Sequence, residues 1–457
     1  MHLTVTNPFD GQTVCELPYD TQETIDTKLT QARQAFDVWR KMSLSQRITK
    51  IESSLAKFRS ESDNIARDVT LQMGKPIAQS RGEIDGFFLR AEKMISIAEE
   101  ALSPDVLPQK PGFVRRVEHA PLGVVFNIAA WNYPLLTPVN VVIPALLAGN
   151  VVLLKHSAKT PLCGRHIAAA FEGIGPPGLV SDLIVTHKQT DQIIADPRVD
   201  HLSFTGSVDG GRQLYLGAAE RLIDVGLELG GNDPAYVCQD ADLEFTVENV
   251  VDGACYNAGQ SCCAVERAYV HTSVYDEFLS RAQQTMAAYC LGDPMDDATT
   301  IGPLATRSAV DLLQRHVDDA VNRGARLLCG GKHRSGTQFY EPTLLADVPQ
   351  EAAIMREESF GPILPVQCVS DDEEAVLRMN DSDLGLTASI WTTDSARAER
   401  IAAQLDAGTI YQNRCDYLDP ALPWTGWKDS GSGSTLSPYG FHHLTRRKSV
   451  HFRTSVV

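Results

Sequence analysis

A cysteine stands in a short polar turn, and a carboxylate followed by two glycines stands well before it in the chain. Residues 256–264 read YNAGQSCCA and contain Cys262, whereas Glu228 opens the run ELGG at 228–231. A cysteine thiolate attacks an electrophilic carbon, and a carboxylate can activate water by taking its proton. These two residue types predict an enzyme that forms a covalent intermediate on sulfur and releases it with water.

Either feature alone is weak, because buried structural cysteines are commoner than reactive ones. A third polar residue adds to the pattern: Asn132, in AWNYP at residues 130–134, follows a predicted strand and opens a predicted helix. Its side-chain amide can donate a hydrogen bond to a developing oxyanion. Asparagine is also a favoured helix N-cap, and these residues alone leave both interpretations open.

Three further motifs have compositions that suit a nucleotide, although each by itself is a weak signal. A solvated loop is the favoured interpretation of residues 155–161 taken alone, and a surface charge cluster before a turn is that of residues 356–362. Residues 155–161 (KHSAKTP) place lysines and a serine after a strand, where phosphate or ribose groups often bind. Residues 204–207 (FTGS) form a strand-to-helix turn whose N–H groups can face a pyrophosphate. Residues 356–362 (REESFGP) supply a carboxylate for ribose hydroxyls and an aromatic ring for a flat ligand.

The elements that position these motifs are read from periodicity. Apolar residues recur at helical spacing over residues 21–39, 45–72 and 83–102. Beyond residue 123, predicted strands lie at 124–128, 151–154, 201–204, 235–237, 268–270 and 388–391, with predicted helices at 134–148, 163–171, 243–258, 274–289, 309–323 and 395–405. This alternation predicts βαβ units in two α/β lobes with parallel sheets. Residues 447–457 alternate as an unpaired strand would, and a free strand edge favours oligomerisation.

Composition disfavours several classes of partner. The chain has 457 residues, long enough for two or three domains, and 41 basic against 58 acidic residues give a net charge of −17. This balance disfavours nucleic acid and acidic membranes. The N-terminus has no basic region followed by an apolar run, and the longest apolar run, 138–148, is too short to span a bilayer. Ten scattered cysteines without a Cys-x-x-Cys pair predict no metal site and no disulfide framework, and they favour a cytoplasmic protein.

Taken in order, the motifs resemble those of the aldehyde dehydrogenase superfamily, including its bacterial NAD(P)-dependent aldehyde and semialdehyde dehydrogenases. The resemblance extends from residues 7–8 to residues 448–450. It implies two Rossmann-like lobes, one for the cofactor and one for catalysis, plus a small β element for oligomerisation. It also implies oxidation of an aldehyde to a carboxylic acid with NAD or NADP.

By this resemblance, Cys262 is the nucleophile, since it stands two places after the glutamine of the Gly-Gln pair. Asn132 and the Cys262 backbone N–H would hold the alkoxide, and Glu228 would activate the water that hydrolyses the thioester. The same resemblance assigns the cofactor to a larger set of residues: Trp131, Lys155, Ser157, Ala158, Thr205, Gly206, Ser207, Gly211, Leu229, Glu358 and Phe360.

Departures from the family pattern bear on the choice of cofactor and on local packing. Ala158 stands where many NAD-preferring members have a glutamate that binds both ribose hydroxyls and repels a 2′-phosphate. The absence of this glutamate predicts that the enzyme accepts NADP. Asn232 replaces the common lysine after the glycine pair, and Thr435 lies where a C-terminal Gly-Arg-Glu motif usually ends.

The aldehyde itself is left open by the sequence. Arg414 is placed by analogy near the tunnel mouth and can pair with the carboxylate of succinate semialdehyde, or instead with Asp416. Trp424 is a candidate tunnel wall or, equally, a structural aromatic residue, and Tyr133 is a candidate substrate contact. Trp424, with Tyr417, Leu418 and Leu422, favours an aromatic or aliphatic aldehyde. A coenzyme A-acylating enzyme or a non-catalytic relative is disfavoured because Cys262 and Glu228 are both present.

The resemblance also predicts the domain boundaries. We expect the cofactor-binding domain at residues 1–102 and 119–229, and the catalytic domain at 230–425. Residues 103–118 and 440–457 would be oligomerisation strands, giving a homodimer or homotetramer.

Overall fold

The computed structural model describes residues 2–455, in which strands and helices alternate as the sequence predicts. The strands are β1 His2–Thr6, β2 Thr13–Pro18, β3 Asp105–Val106, β4 Phe113–Pro121, β5 Val124–Ile128, β6 Val151–Lys155, β7 Val180–Asp182, β8 His201–Thr205, β9 Asp224–Glu228, β10 Asp233–Val237, β11 Val265–His271, β12 Arg326–Cys329, β13 Thr343–Ala346, β14 Ile363–Val369, β15 Leu384–Gly385, β16 Thr387–Trp391, β17 Thr409–Gln412, β18 Trp427–Lys428, β19 Gly431–Ser432 and β20 Thr445–Arg453. The helices are α1 Gln22–Trp39, α2 Leu44–Ser60, α3 Ser62–Met73, α4 Ile77–Leu102, α5 Leu136–Ala148, α6 Pro161–Phe171, α7 His187–Ala195, α8 Val208–Ala219, α9 Leu243–Cys255, α10 Tyr275–Ala287, α11 Arg307–Asn322, α12 Asp372–Asn380, α13 Ser395–Ala402 and α14 Ser437–His443.

The first sheet has six strands in the order β19-β9-β8-β5-β6-β7, and all neighbouring pairs are parallel except β19 with β9. Its central strands β5 (VVFNI) and β6 (VVLLK) are buried along their whole length. Such mainly apolar runs are typical of parallel strands that helices cover on both faces. The carboxyl ends of β6, β8 and β9 carry Lys155, Thr205 and Glu228, so this sheet brings three predicted site residues to one edge.

The second sheet has seven strands in the order β12-β13-β14-β11-β10-β16-β17, with only the β12–β13 pair antiparallel among the residues described. It has a separate apolar core that includes Tyr236, Tyr269 and Trp391. Cys262 precedes β11, a central strand of this sheet. The two sheets correspond to the two predicted lobes.

A third, antiparallel sheet has the order β20-β4-β3. The prediction of an unpaired C-terminal strand is wrong for residues 447–453, because β20 pairs along its full length with β4, from Thr445 opposite Pro121 to Arg453 opposite Phe113. Residues 456–457 of that prediction lie outside the described residues. One edge of β20 remains without a neighbouring strand in the described structure.

Several predicted helices differ in extent: α4 begins at Ile77 and not at residue 83, and α13 ends at Ala402 and not at residue 405. Two further differences have visible local reasons. The helix expected over 45–72 is two helices, α2 and α3, that meet at Glu61, whose φ of −103° and ψ of 8° interrupt the helical backbone. The helix expected over 243–258 ends at Cys255, because Asn257 and Ala258 adopt left-handed conformations. No helix within residues 2–455 is long and apolar enough to cross a membrane.

Candidate functional site

The cysteine turn has an unusual backbone. After α9, Asn257, Ala258 and Gly259 have φ values of 53°, 56° and 71°, three left-handed residues in succession. At Gly259 a Cβ atom would overlap the carbonyl oxygen of Gly361, so this approach of two loops requires glycine. Left-handed non-glycine residues cost energy and cluster at functional sites. The turn delivers a half-buried Cys262 to the start of β11.

Cys262 and Glu228 line the same cavity, which has a volume of about 320 Å³. Tyr133 and Trp424, both predicted at the substrate tunnel, also line it, together with Thr205. The structure therefore brings together side chains from both main sheets. The position of Cys262 and Glu228 in one mainly apolar cavity suits a nucleophile and a base that act on the same small ligand.

Asn132 lies beside the cysteine turn, although it is not among the cavity-lining residues of the described chain. The side-chain Nδ2 of Asn257 donates to the carbonyl oxygens of Asn132, at 3.1 Å, and of Gln260, at 3.0 Å. This amide joins the two segments that carry Asn132 and Cys262. The N-cap of α5 is Leu135, so Asn132 does not cap that helix.

A buried ion pair fixes the segment that contains Asn132. Lys75 and Glu83 form an ion pair with each other, and their side chains are 0% and 1% exposed. The second carboxylate oxygen of Glu83 accepts the N–H of Leu135 at 2.8 Å, and the Lys75 ammonium lies 4.0 Å from the ring centroid of Tyr133. Glu83 thereby supplies the helix cap that the side chain of Leu135 lacks.

Two threonines hold the carboxylate of Glu228. The Thr435 hydroxyl donates to Oε1, and the Thr205 hydroxyl donates to Oε2 at 3.3 Å. Burial raises the pKa of Glu228, while the Thr435 hydrogen bond and the charge of Arg90 oppose that rise. Thr205, which the family resemblance assigns to the pyrophosphate, therefore contacts Glu228, and Thr435 is a support of Glu228 without a predicted role. The departure from the Gly-Arg-Glu pattern was the available signal for Thr435.

Asp416 lies at the cysteine turn and not with Arg414. Its Oδ1 accepts hydrogen bonds from Ser261 Oγ at 2.7 Å and Cys263 Sγ at 3.1 Å. Burial raises its pKa. The exposed guanidinium of Arg414 instead lies 3.4 Å from the ring centroid of Tyr417 and is not among the residues that line the cavity within residues 2–455.

The predicted cofactor residues after β6 have the chemistry to hold an anionic or hydroxylated ligand. Lys155 is 8% exposed, and burial lowers its pKa without a compensating carboxylate in the described structure. Ser157 is half-buried, Ala158 is exposed, and the Lys159 ammonium lies 5.8 Å from the Trp131 ring. A buried lysine with no carboxylate partner fits the ribose or phosphate of NAD(P).

The turn between β8 and α8 also fits a nucleotide. Ser207 is the N-cap of α8 and accepts the N–H of Gly210 at 3.2 Å, which leaves other N–H groups of the first turn available. A Cβ at Gly211 would lie 2.7 Å from a methyl of Leu229, so glycine lets α8 pack against the residue after Glu228.

Glu358 and Phe360 are held by a buried carboxylate that sequence analysis missed. Glu266 accepts the backbone N–H of Ser359 at 2.7 Å and of Phe360 at 2.8 Å, and Asn232 Nδ2 donates to it at 3.1 Å. Burial raises the pKa of Glu266 to about 7. Glu266 lies four residues after Cys262. The one sequence signal for its contact with Asn232 was that Asn232 stands where the family commonly has a lysine.

The two aromatic residues assigned to the cofactor meet in space. The Trp131 and Phe360 rings are edge to face, with centroids 5.6 Å apart. The carboxylate of Glu358 accepts the N–H of Gly231 at 3.0 Å. These contacts bring the motifs at 131, 231 and 358–360 together. No group of metal-ligating side chains was found among residues 2–455.

Known proteins are similar to this chain in both sequence and fold. A profile described as "Aldehyde dehydrogenase family" matches residues 1–450. The chain belongs to this family. As predicted, it is an α/β enzyme that oxidises aldehydes with NAD or NADP.

Several relatives are similar over nearly their full length. A protein of Deinococcus radiodurans named succinate-semialdehyde dehydrogenase (NADP(+)) is 36% identical, over 97% of this chain and 93% of its own. A 3,6-anhydro-alpha-L-galactose dehydrogenase of Streptomyces coelicolor is also 36% identical, over 99% and 94%. The crystal structure of succinate-semialdehyde dehydrogenase from Burkholderia pseudomallei superimposes with a TM-score of 0.96 at 31% identity, over 99% of this chain and 95% of that chain.

Proposed function

We propose that this aldehyde dehydrogenase works through Cys262, Asn132 and Glu228. The Cys262 thiolate adds to the aldehyde carbon, and the carbonyl oxygen becomes an alkoxide held by the Asn132 amide and the Cys262 N–H. Bound NAD(P) supplies an acceptor for the hydride that this carbon then loses, which leaves a thioester on sulfur. Glu228 takes a proton from water, the water oxygen forms the new C–O bond, and the thiolate leaves with the acid released.

The observation that carries this proposal is the single cavity shared by Cys262 and Glu228. A base inside the nucleophile's cavity favours hydrolysis over transfer of the acyl group to coenzyme A. Its raised pKa, caused by burial, makes Glu228 a stronger base than a surface glutamate.

The direct test is rapid-mixing absorbance of reduced cofactor with purified wild type and two variants. Cys262→Ala should form no reduced cofactor, whereas Glu228→Gln should give a burst near one equivalent per site and a steady rate about 10²- to 10⁴-fold lower. Cys290→Ala, which alters an exposed cysteine, is the matched control. A full rate in Cys262→Ala would refute the assignment of the nucleophile.

We also propose that NADP is the preferred cofactor. Ala158 leaves no carboxylate to repel a 2′-phosphate, and the buried Lys155, at the end of β6, and Lys159, on the loop that follows, supply positive charge. The Deinococcus relative, whose name specifies NADP(+), is consistent with this choice.

Succinate semialdehyde is the proposed first substrate, on the strength of the similar enzymes named for it. The second candidate is a neutral aldehyde, since an equally similar relative is named for an anhydrosugar. Tyr133 and Trp424 in the cavity wall also suit apolar and aromatic aldehydes. Relative kcat/KM values for these aldehydes decide between the candidates.

The proposed organisation follows the sequence boundaries: cofactor binding by residues 1–102 and 119–229, catalysis by 230–425, and assembly by 103–118 and 440–457. The β20-β4-β3 sheet supports the last assignment, because Val106, Val114 and Phe452 on it are 80%, 42% and 58% exposed. Exposed apolar side chains on a sheet with open edges favour a second copy of the chain. We propose a homodimer or homotetramer, which light scattering during size-exclusion chromatography would distinguish from a monomer.

A further inference from the structure

We infer that Arg90 is the residue that selects the substrate, by binding a carboxylate at the end of the aldehyde opposite its reactive carbon. This inference rests on the proposed function of the Cys262 cavity. It identifies the substrate class as small aldehydes that carry a negative charge.

Arg90 is a buried cation in the cavity wall. It projects from α4, is 8% exposed, and lines the space that also contains Cys262 and Glu228. No carboxylate within residues 2–455 lies within the 4.0 Å of an ion pair with its guanidinium. Buried arginines are almost always paired, so an unpaired one at a ligand cavity indicates a missing anionic partner.

The hydrogen bonds of Arg90 leave two nitrogens of its guanidinium available for a ligand. Only Nη1 has protein partners among the described residues: it donates to the Leu136 carbonyl oxygen at 3.2 Å and to Asn140 Oδ1 at 3.1 Å. These two acceptors on α5 fix the orientation of the guanidinium. Nε and Nη2 remain for the bidentate contact that arginine makes with a carboxylate.

The acidic residues around the cavity are engaged elsewhere. Glu83 pairs with Lys75 and caps α5, Asp416 accepts from Ser261 and Cys263, and Asp252 accepts from a tyrosine hydroxyl. Glu228 accepts from Thr205 and Thr435, and its charge acts on Arg90 from beyond ion-pair distance. Arg90 is the one arginine or lysine among the cavity-lining side chains of the described chain. An incoming carboxylate therefore meets its favourable charge at Arg90, whereas Arg414 is exposed and stacked on Tyr417.

The test compares two aldehydes of equal carbon number, succinate semialdehyde and butanal, in wild type, Arg90→Gln, Arg90→Lys and Arg414→Ala. We expect Arg90→Gln to lower kcat/KM for succinate semialdehyde about 10- to 100-fold, mainly through KM, as loss of a charge-assisted hydrogen bond does. The loss for butanal should be at least fivefold smaller, and Arg90→Lys should recover part of the selectivity. Any change that Arg90 causes in the basicity of Glu228 cancels between the two aldehydes.

A binding readout that needs no turnover completes the test. Succinate should slow alkylation of Cys262 by iodoacetamide in wild type but not in Arg90→Gln. Butyramide should have the same effect on the alkylation rate in both proteins. Equal losses for both aldehydes in Arg90→Gln, or a selective loss in Arg414→Ala instead, would overturn the inference. Oxidation of butanal in preference to succinate semialdehyde by wild type would also overturn it while leaving the proposed reaction intact, whereas oxidation of no aldehyde would refute the reaction itself.

Discussion

The Thr435 hydroxyl donates a hydrogen bond to the carboxylate of Glu228, although the two residues are 207 positions apart. Glu228 ends β9, and Thr435 follows β19, which pairs antiparallel with β9. Thr435 also exchanges two backbone hydrogen bonds with Trp424, at 2.9 and 3.0 Å, so the proposed base and a cavity wall share one support.

Removal of this hydroxyl should shift the pH dependence of turnover. The hydrogen bond stabilises the Glu228 carboxylate and lowers its pKa, against the larger effect of burial. Thr435→Val should therefore raise the pKa further, because the charged form loses its donor. Hydrolysis needs the carboxylate, so the rising limb of the kcat profile should move to higher pH.

Thr435→Ser, which keeps the hydroxyl, should retain the wild-type profile. Steady-state kcat from pH 5 to 9, measured on all three proteins under conditions where hydrolysis limits the rate, provides the comparison. A profile in Thr435→Val that moves to lower pH would contradict the proposed support of Glu228.

Loss of one partner of the buried Lys75–Glu83 pair should destabilise the protein strongly. Lys75→Met leaves the Glu83 carboxylate buried without its cation, which typically costs about 3–5 kcal/mol of unfolding free energy. Thermal unfolding and denaturant titration measure this cost. Arg81→Met, which breaks an exposed pair with Asp297, is the control and should cost at most about 1 kcal/mol.

Glu266→Gln should weaken cofactor binding because it alters the support of the loop that carries Glu358 and Phe360. The KM for NAD(P) should rise about 3- to 30-fold, in line with loss of about 0.5–2 kcal/mol of hydrogen bonding. The KM for the aldehyde should change much less. Glu351→Gln, on an exposed turn nearby in the sequence, is the control.

The same variant should change how stability depends on pH. Burial raises the folded pKa of Glu266 to about 7, above the ordinary 4.5, so the folded state binds more protons between these two values. Stability from this group is therefore fully present below about pH 4.5 and is lost as pH rises to about 7, by at most about 1.4 kcal/mol per pH unit. Urea titrations at pH 5 and pH 8 should show a larger loss in wild type than in Glu266→Gln. An equal loss in both proteins would contradict this assignment.

Ala158→Glu should change the cofactor preference. A carboxylate on the loop of Lys155 would repel a 2′-phosphate and accept hydrogen bonds from ribose hydroxyls, so kcat/KM with NADP should fall about 10- to 100-fold relative to NAD. Ala158→Gln has the same length without the charge and should fall less. The measurement is kcat/KM with NADP and with NAD for both variants and for wild type, and the ratio of the two values is compared among the three proteins.

Much of the fold follows from local patterns. The buried strands β5 and β6 were predicted within one residue, because VVFNI and VVLLK are mainly apolar, rich in valine and leucine, and flanked by turn residues. The division of residues 45–72 into two helices was missed, since the break at Glu61 has no proline or glycine to announce it. The pairing of β20 with β4 joins residues more than 300 positions apart, and strand periodicity carries no information about a partner.

The sequence by itself predicted the reaction class, because its motifs, in their order along the chain, resemble those of the aldehyde dehydrogenase family. Through the same resemblance it named Cys262, Glu228 and Asn132 as the proposed catalytic residues. The tertiary structure decided which side chains surround them. Arg90, Glu266 and Thr435 belong to a helix, a strand and a loop whose local sequences do not reveal what these side chains contact. Their hydrogen bonds form only when distant elements pack. Long-range packing fixes burial, and burial decides which charges need a partner and which pKa values shift.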